Sequence, residues 1–464
     1  MQSLQKLPWS PILMGIASIL FVIAKWADLS LPFFWDELGV YGPGVLAMVD
    51  EGIGLLPSAL PPDLSRGHPL FFYFFFAAWT KIVGYSIVKI HFFALMVTLG
   101  VAWTTWWIGY KLLHEAAGAI AGIAVLMMPF IFAQAHLILP EMLLGGLMLW
   151  GLYSFHQRKW WAYLIWGSLA VLTKESALVM VMACLTYSLL FGAAERWKMS
   201  LISLSPLIGF ALFLIIQRFQ NGWFFFPYHT GFISFDWVEM QGKFVKLWNF
   251  ILEYQGRWAI QIGLGIGLIA FLWRKRTLNP NEIHPWFQLS GIFLLGMMAF
   301  TVINFYMDRY LLSLLPILVL GLGAAIRELF LLGKAWRYLS IAIFLIPLNF
   351  IPHHQGEEFR YDTDINYRSL LSVQQAAVDL MIQEAQPTDS VFAGFPIYYA
   401  LKDPRYGFTE RYYPLKLTGN PRAEVDLAGF MYPGVRYEKA INDSLKIWTQ
   451  SQGYSWAEVF RRNP

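Results

Sequence analysis

Apolar runs broken by short polar stretches fill the first three quarters of the chain, and the pattern changes near residue 352. A membrane-spanning helix needs about 17 to 25 apolar residues. Runs near that length fall at 11–27, 87–110, 116–133, 142–156, 160–173, 175–192, 199–218, 257–273, 286–304, 308–332 and 336–351. A further run, 69–84, reads as a helix lying in the membrane interface. Beyond 352, charges and turn residues become frequent. There the spacing predicts a helix over 369–385, short strands at Ser390–Phe395 and Val425–Phe430, and an amphipathic helix over 437–452 before Gly453. The predicted fold class is thus a polytopic α-helical membrane protein of about eleven spans plus an interfacial helix, with a small C-terminal α/β domain. The expected division is 1–351 for the transmembrane module, including a first outer loop 28–68, and 352–464 for the C-terminal domain.

Composition supports the membrane class. Hydrophobic residues make up 57%, charged residues 14%, and the mean hydropathy is +0.49, whereas soluble domains carry about a quarter charged residues. The net charge of +4 and the absence of any basic run longer than Arg274-Lys275-Arg276 give no basis for nucleic-acid binding. Cys184, the one cysteine, lies in an apolar run and reads as packing. The N-terminal stretch shows no small-residue cleavage site before Asp28, so it is expected to stay as an anchor.

Basic connectors set the expected orientation. With the N-terminus in the cytoplasm and 69–84 not crossing, Lys6, Lys111, Arg158-Lys159, Arg196, Arg274-Lys275-Arg276 and Lys334 all face inward. The same threading brings Asp36-Glu37, Glu141, Lys174-Glu175 and Asp308-Arg309 to the outer side of a cell inner (plasma) membrane, with the C-terminus also outside. Lys243 and Lys246 then fall in a long outer loop.

Charges beside so much apolar sequence are the candidate chemistry. Asp36 and Glu37 adjoin Leu31-Pro32-Phe33-Phe34-Trp35, which suggests an interfacial pair able to act as a base; a solvated loop is the plain alternative. Glu141 follows Pro140 and is either a site carboxylate or a helix cap. Lys174 and Glu175 sit between two apolar runs, lining a wet cavity or neutralising each other. Arg309, in Asp308-Arg309-Tyr310, suits a phosphate grip or a pair with Asp308. Asp36, Glu37, His68 and Glu141 have the ligand types for a divalent metal, but no helix-type pairing supports one, so no metal or other cofactor is expected.

Trp35-Asp36-Glu37, Gly67-His68-Pro69-Leu70-Phe71-Phe72-Tyr73, Pro140-Glu141, Leu172-Thr173-Lys174-Glu175-Ser176 and Asp308-Arg309-Tyr310-Leu311-Leu312-Ser313-Leu314-Leu315-Pro316 occur in the order seen in GT-C glycosyltransferases. Over roughly 10–330 the chain resembles the protein O-mannosyltransferases and the aminoarabinose transferase of lipid A. The resemblance implies transfer of a sugar from a polyprenyl-phosphate donor to an acceptor lipid, polysaccharide or protein at the outer face. It places Asp36, Glu37 and Glu141 at the reaction centre, and His68, Lys174, Glu175, Arg309 and Tyr310 around the substrate and its lipid phosphate. The chain departs from the aminoarabinose transferase at Gly67 and His68, where that family has glutamate and lysine. A transporter or flippase, or an inactive scaffold in an envelope complex, is the alternative from other classes.

Overall fold

A computed structural model describes residues 9–252, 257–275, 284–332, 361–420, 425–431, 444–452 and 455–462. Its membrane module is built from α1 (Trp9–Lys25), α2 (Gly42–Glu51), α3 (Phe71–Val83), α4 (Ile87–Leu112), α5 (Glu115–Met127), α6 (Pro140–His156) and α7 (Trp160–Thr173). It continues through α8 (Leu178–Phe191), α9 (Leu207–Asn221), α10 (Trp237–Leu252), α11 (Trp258–Lys275), α12 (Pro285–Ile303) and α13 (Leu315–Leu332). Among the described residues, five helical stretches are long and apolar enough to cross a membrane: Trp9–Ser30, Ile87–Leu112, Ala193–Asn221, Pro285–Ile303 and Asp308–Leu329. Shorter apolar helices include Phe71–Val83, Glu115–Met127, Trp160–Thr173, Glu175–Phe191 and Ile260–Trp273. Ten of the eleven expected spans fall on these helices; the eleventh, 336–351, lies outside the described residues, as does the expected domain boundary.

Small residues let the helices approach closely, which is how membrane helices gain packing where lipid offers no hydrophobic drive. A Cβ at Gly118 would stand 2.5 Å from Tyr110 N and one at Gly109 would stand 2.8 Å from the Gly118 Cα, so α4 and α5 meet backbone to backbone. That hairpin leaves the first-loop side of the bundle and returns to it. The first loop and the start of α6 touch the same guanidinium, that of Arg309, so both lie on one side. The start of α4 lies on that side too, with His91 on Glu37, so α3, which precedes it, ends on the first-loop side. The segment expected as a long loop around Lys243 and Lys246 instead carries α10, an amphipathic helix in which Lys243 pairs with Glu239 at 2.7 Å.

The C-terminal unit contains α14 (Tyr367–Glu384) and a five-stranded sheet: β1 (Ser390–Ala393), β2 (Lys416–Thr418), β3 (Leu427–Met431), β4 (Ser444–Gln452) and β5 (Ser455–Arg462), in the order β2-β1-β3-β5-β4. β1 runs parallel to β2 and β3; β5 runs antiparallel to β3 and β4. The helix expected over 437–452 is corrected by this sheet. Ser444–Gln452 is an edge strand paired with β5 from Ser444↔Arg462 to Gln452↔Ser455, while 437–443 lies outside the described residues. The reason is tertiary: β5 buries Ala457 and Val459 and offers an open edge, and β-forming Ile447, Trp448 and Thr449 take it.

Candidate active site

Arg309 is the centre of the polar cluster. It lies in the tight 3₁₀ turn Asp308–Leu314 that leads into α13, and its side chain is 2% exposed. A guanidinium so placed requires partners. Nη1 donates to Asp362 Oδ2 at 2.9 Å, Nη2 donates to Asp36 Oδ2, and Nε stands 3.5 Å from Glu141 Oε1 without a hydrogen bond. Lys174 Nζ donates to the same Glu141 oxygen at 2.7 Å and lies 3.9 Å above the Tyr310 ring centroid, a cation–π contact. Glu141 opens α6 behind Pro140, and Lys174 ends α7, so two helix ends and one 3₁₀ turn converge. Lys174 therefore pairs with Glu141 and not with Glu175. Asp308 accepts from the Tyr306 hydroxyl at 2.8 Å, leaving Arg309 to the other carboxylates.

Asp36 and Glu37 are neighbours with opposite surroundings. Trp35 holds a left-handed φ of 51°, uncommon for a large side chain, and packs edge-on against Phe395 at 4.8 Å. Beyond this twist Asp36 is 27% exposed, and its Oδ1 accepts no hydrogen bond from the described residues. Glu37 is fully buried: Oε1 accepts from His91 Nε2 at 3.0 Å and from Ile138 N at 2.7 Å, and Oε2 accepts from Phe34 N at 3.0 Å. The other His91 nitrogen, Nδ1, faces the Leu29 carbonyl at 3.0 Å. Both ring nitrogens thus lie at hydrogen-bond distance from oxygens, and His91 and Glu37 form a fully buried polar pair. That pair ties the first loop to α4 and to the break before α6.

His68 and Glu175 form a second group. Arg66 (φ 52°) and Gly67 (φ 72°) turn the chain before α3, and a Cβ at Gly67 would stand 2.7 Å from Phe226 Cβ. Only glycine fits there, which accounts for the departure at this position. The turn presents His68, whose Nδ1 donates to Glu175 Oε2 at 2.7 Å and whose ring stacks on His229 at 4.8 Å. Burial pushes His229 down to about 4, and neighbouring His68 adds to the shift. Among the described residues no group of three or more His, Cys, Asp or Glu side chains has a metal-holding arrangement.

Several residues of this region were not signalled by sequence. Asp362 comes from the 3₁₀ turn Tyr361–Thr363 of the C-terminal unit and is buried on Arg309. The unit is docked by Tyr367 stacked on Phe34 at 5.0 Å, by Arg368 Nη2 donating to Asp28 at 2.6 Å, and by Phe33 N donating to the Tyr406 carbonyl at 2.9 Å. Asp28 also holds the buried Lys25. His91 did carry a signal, being an ionisable residue inside a 26-residue apolar helix. Asp362 carried none, since acids are ordinary in a polar domain.

Comparisons with known proteins bear on the fold that carries this cluster. The model of the dolichyl-phosphate-mannose-protein mannosyltransferase family matches residues 67–216. No curated protein matches the chain in sequence. In structure the chain is similar to apo ArnT from Cupriavidus metallidurans, with a TM-score of 0.60 at 14% identity, covering 95% of this chain and 97% of that one. It is also similar to the same protein bound to undecaprenyl phosphate, with a TM-score of 0.61 at 13% identity, covering 97% and 98%. The apo oligosaccharyltransferase of Archaeoglobus fulgidus gives a TM-score of 0.54 at 10% identity over 88% of this chain and 65% of that one. The apolar helices and these likenesses together identify the chain as a multi-pass membrane protein with the fold of the GT-C glycosyltransferases.

Proposed function

We propose that this protein moves a sugar from a polyprenyl-phosphate-linked donor to a hydroxyl-bearing acceptor on a lipid, polysaccharide or protein, at the outer face of the cell inner (plasma) membrane. One observation carries the proposal: a partly exposed carboxylate, Asp36, is bonded to a buried cation, Arg309, with Lys174 beside it, where helix ends meet the first loop. In the reaction Asp36 Oδ1 takes the acceptor proton. The acceptor oxygen bonds to the anomeric carbon as its bond to the phosphate oxygen breaks, and the electron pair stays on the phosphate. Lys174 and Arg309 stabilise that charge, and fixed cations in a dry site are worth far more than in water. A single displacement inverts the anomeric configuration.

Glu141 aims the two cations, and Tyr310 holds Lys174 by its ring face. His68, fixed by Glu175, faces the donor. Glu37, placed among the catalytic acids by sequence, serves here as a positioning residue, because its buried carboxylate is already bonded to His91, Ile138 and Phe34. No resident metal enters this scheme. The basic connectors favour a cytoplasmic N-terminus and an outer C-terminal domain. Purified protein incubated with polyprenyl-phosphate sugars releases sugar from the carrier if the proposal is right; full release by folded Asp36→Asn protein overturns it.

A further inference from the structure

Two cations, Lys174 and Arg309, face three carboxylates, Asp36, Glu141 and Asp362, within one connected cluster. A phosphate-binding site is ordinarily built with surplus positive charge, and this one has a surplus of carboxylate. Asp36 is the proposed base and Glu141 ties the two cations together, which leaves Asp362 without a role in the transfer itself. Its position is specific: with Asp36 it shares the Nη1–Nη2 edge of the guanidinium, the edge that grips a phosphate with two parallel hydrogen bonds. Asp362 also comes from outside the membrane module, on a turn held by the docked C-terminal unit.

The chemistry of transfer explains a carboxylate there. The donor is a phosphodiester with one negative charge. When the anomeric bond breaks, its electron pair leaves with the phosphate, and the lipid product becomes a monoester whose second ionisation falls near pH 6. The product therefore binds two fixed cations more tightly than the donor does, and a site of bare cations would be inhibited by it. We propose that Asp362 is a positioning residue that competes with the lipid phosphate for Arg309 Nη1 and so promotes release of the polyprenyl-phosphate product. The C-terminal domain thereby takes part in turnover through a single side chain. This inference rests on the proposed sugar transfer for its meaning, though not for its measurement.

The test uses full-length protein in detergent and undecaprenyl phosphate as the probe, with wild type, Asp362→Asn and Asp362→Ser compared. The expected result is tighter binding of undecaprenyl phosphate by both variants, about tenfold for one competing charge-assisted hydrogen bond. Steady-state turnover should fall with stronger inhibition by added undecaprenyl phosphate, while the single-turnover rate is kept. Unchanged or weaker binding overturns the inference, as does a single-turnover rate that falls in step with steady-state turnover, which would mark Asp362 as needed only to hold Arg309. The binding measurement requires no sugar transfer: tighter binding with no transfer by wild type would retain the competition and defeat the proposed function, and transfer with unchanged binding would do the reverse.

Discussion

Asp36 and Glu37 are adjacent in sequence and belong to different systems. Asp36 faces the Arg309 cluster, keeps an oxygen unbonded among the described residues and is reached by solvent; Glu37 points the other way, bonded to buried His91 and two backbone amides. The left-handed Trp35 and the wide turn Glu37–Tyr41 that follows separate them. Two identical functional groups can thus be divided into an accessible one and an enclosed one by burial and by the number of fixed donors each receives. A carboxylate that is already fully enclosed cannot meet a substrate, and one that is unsupported cannot hold a loop.

Substitutions can break or sharpen that division. Asp36→Asn should have the largest effect, lowering transfer by about 10²- to 10⁴-fold, the usual scale of general-base loss, with the melting temperature little changed; the check is transfer rate beside a thermal scan. Lys174→Gln should cost about 10²- to 10³-fold in turnover, as removal of one fixed electrostatic donor does, read from single-turnover kinetics. Glu37→Gln should act on stability instead, because one carboxylate oxygen becomes an amide NH2 that cannot accept, so a buried donor loses its partner: a loss of about 1 to 3 kcal/mol is typical. In a double-mutant cycle Glu37→Gln and His91→Gln should be strongly non-additive, and a large activity loss at unchanged stability would contradict the division.

The smallest expected effect concerns pH. Burial pushes Asp362 up to about 6 from its ordinary 3.8, with Arg309 pulling the other way. An acid raised on folding contributes stability that is complete below 3.8 and is lost as the pH rises through about 6. The melting temperature of wild type should accordingly fall relative to that of Asp362→Asn between about pH 4 and pH 6 and level off above, and a difference that stays flat across this range would remove Asp362 as its source.

Much of this molecule was legible along the chain. Apolar run length located ten of the described helices because a bilayer imposes one length scale on every span, and the breaks between runs exposed Asp36, Glu141, Lys174 and Arg309 because charge beside lipid is costly enough to be rare. The strand Ser444–Gln452 was not legible, since an exposed edge strand takes its conformation from the neighbour that pairs with it. Nor was the partner of each charge. Lys174 sits next to Glu175 in sequence and bonds Glu141; Arg309 follows Asp308 and bonds Asp36 and Asp362. Sequence by itself determined the class, the spans and which residue types stand near the membrane surface. Tertiary structure decided which of two adjacent acids stays accessible and that the C-terminal domain reaches the Arg309 cluster, because burial and pairing depend on elements far apart in the chain that only the fold brings within hydrogen-bonding distance.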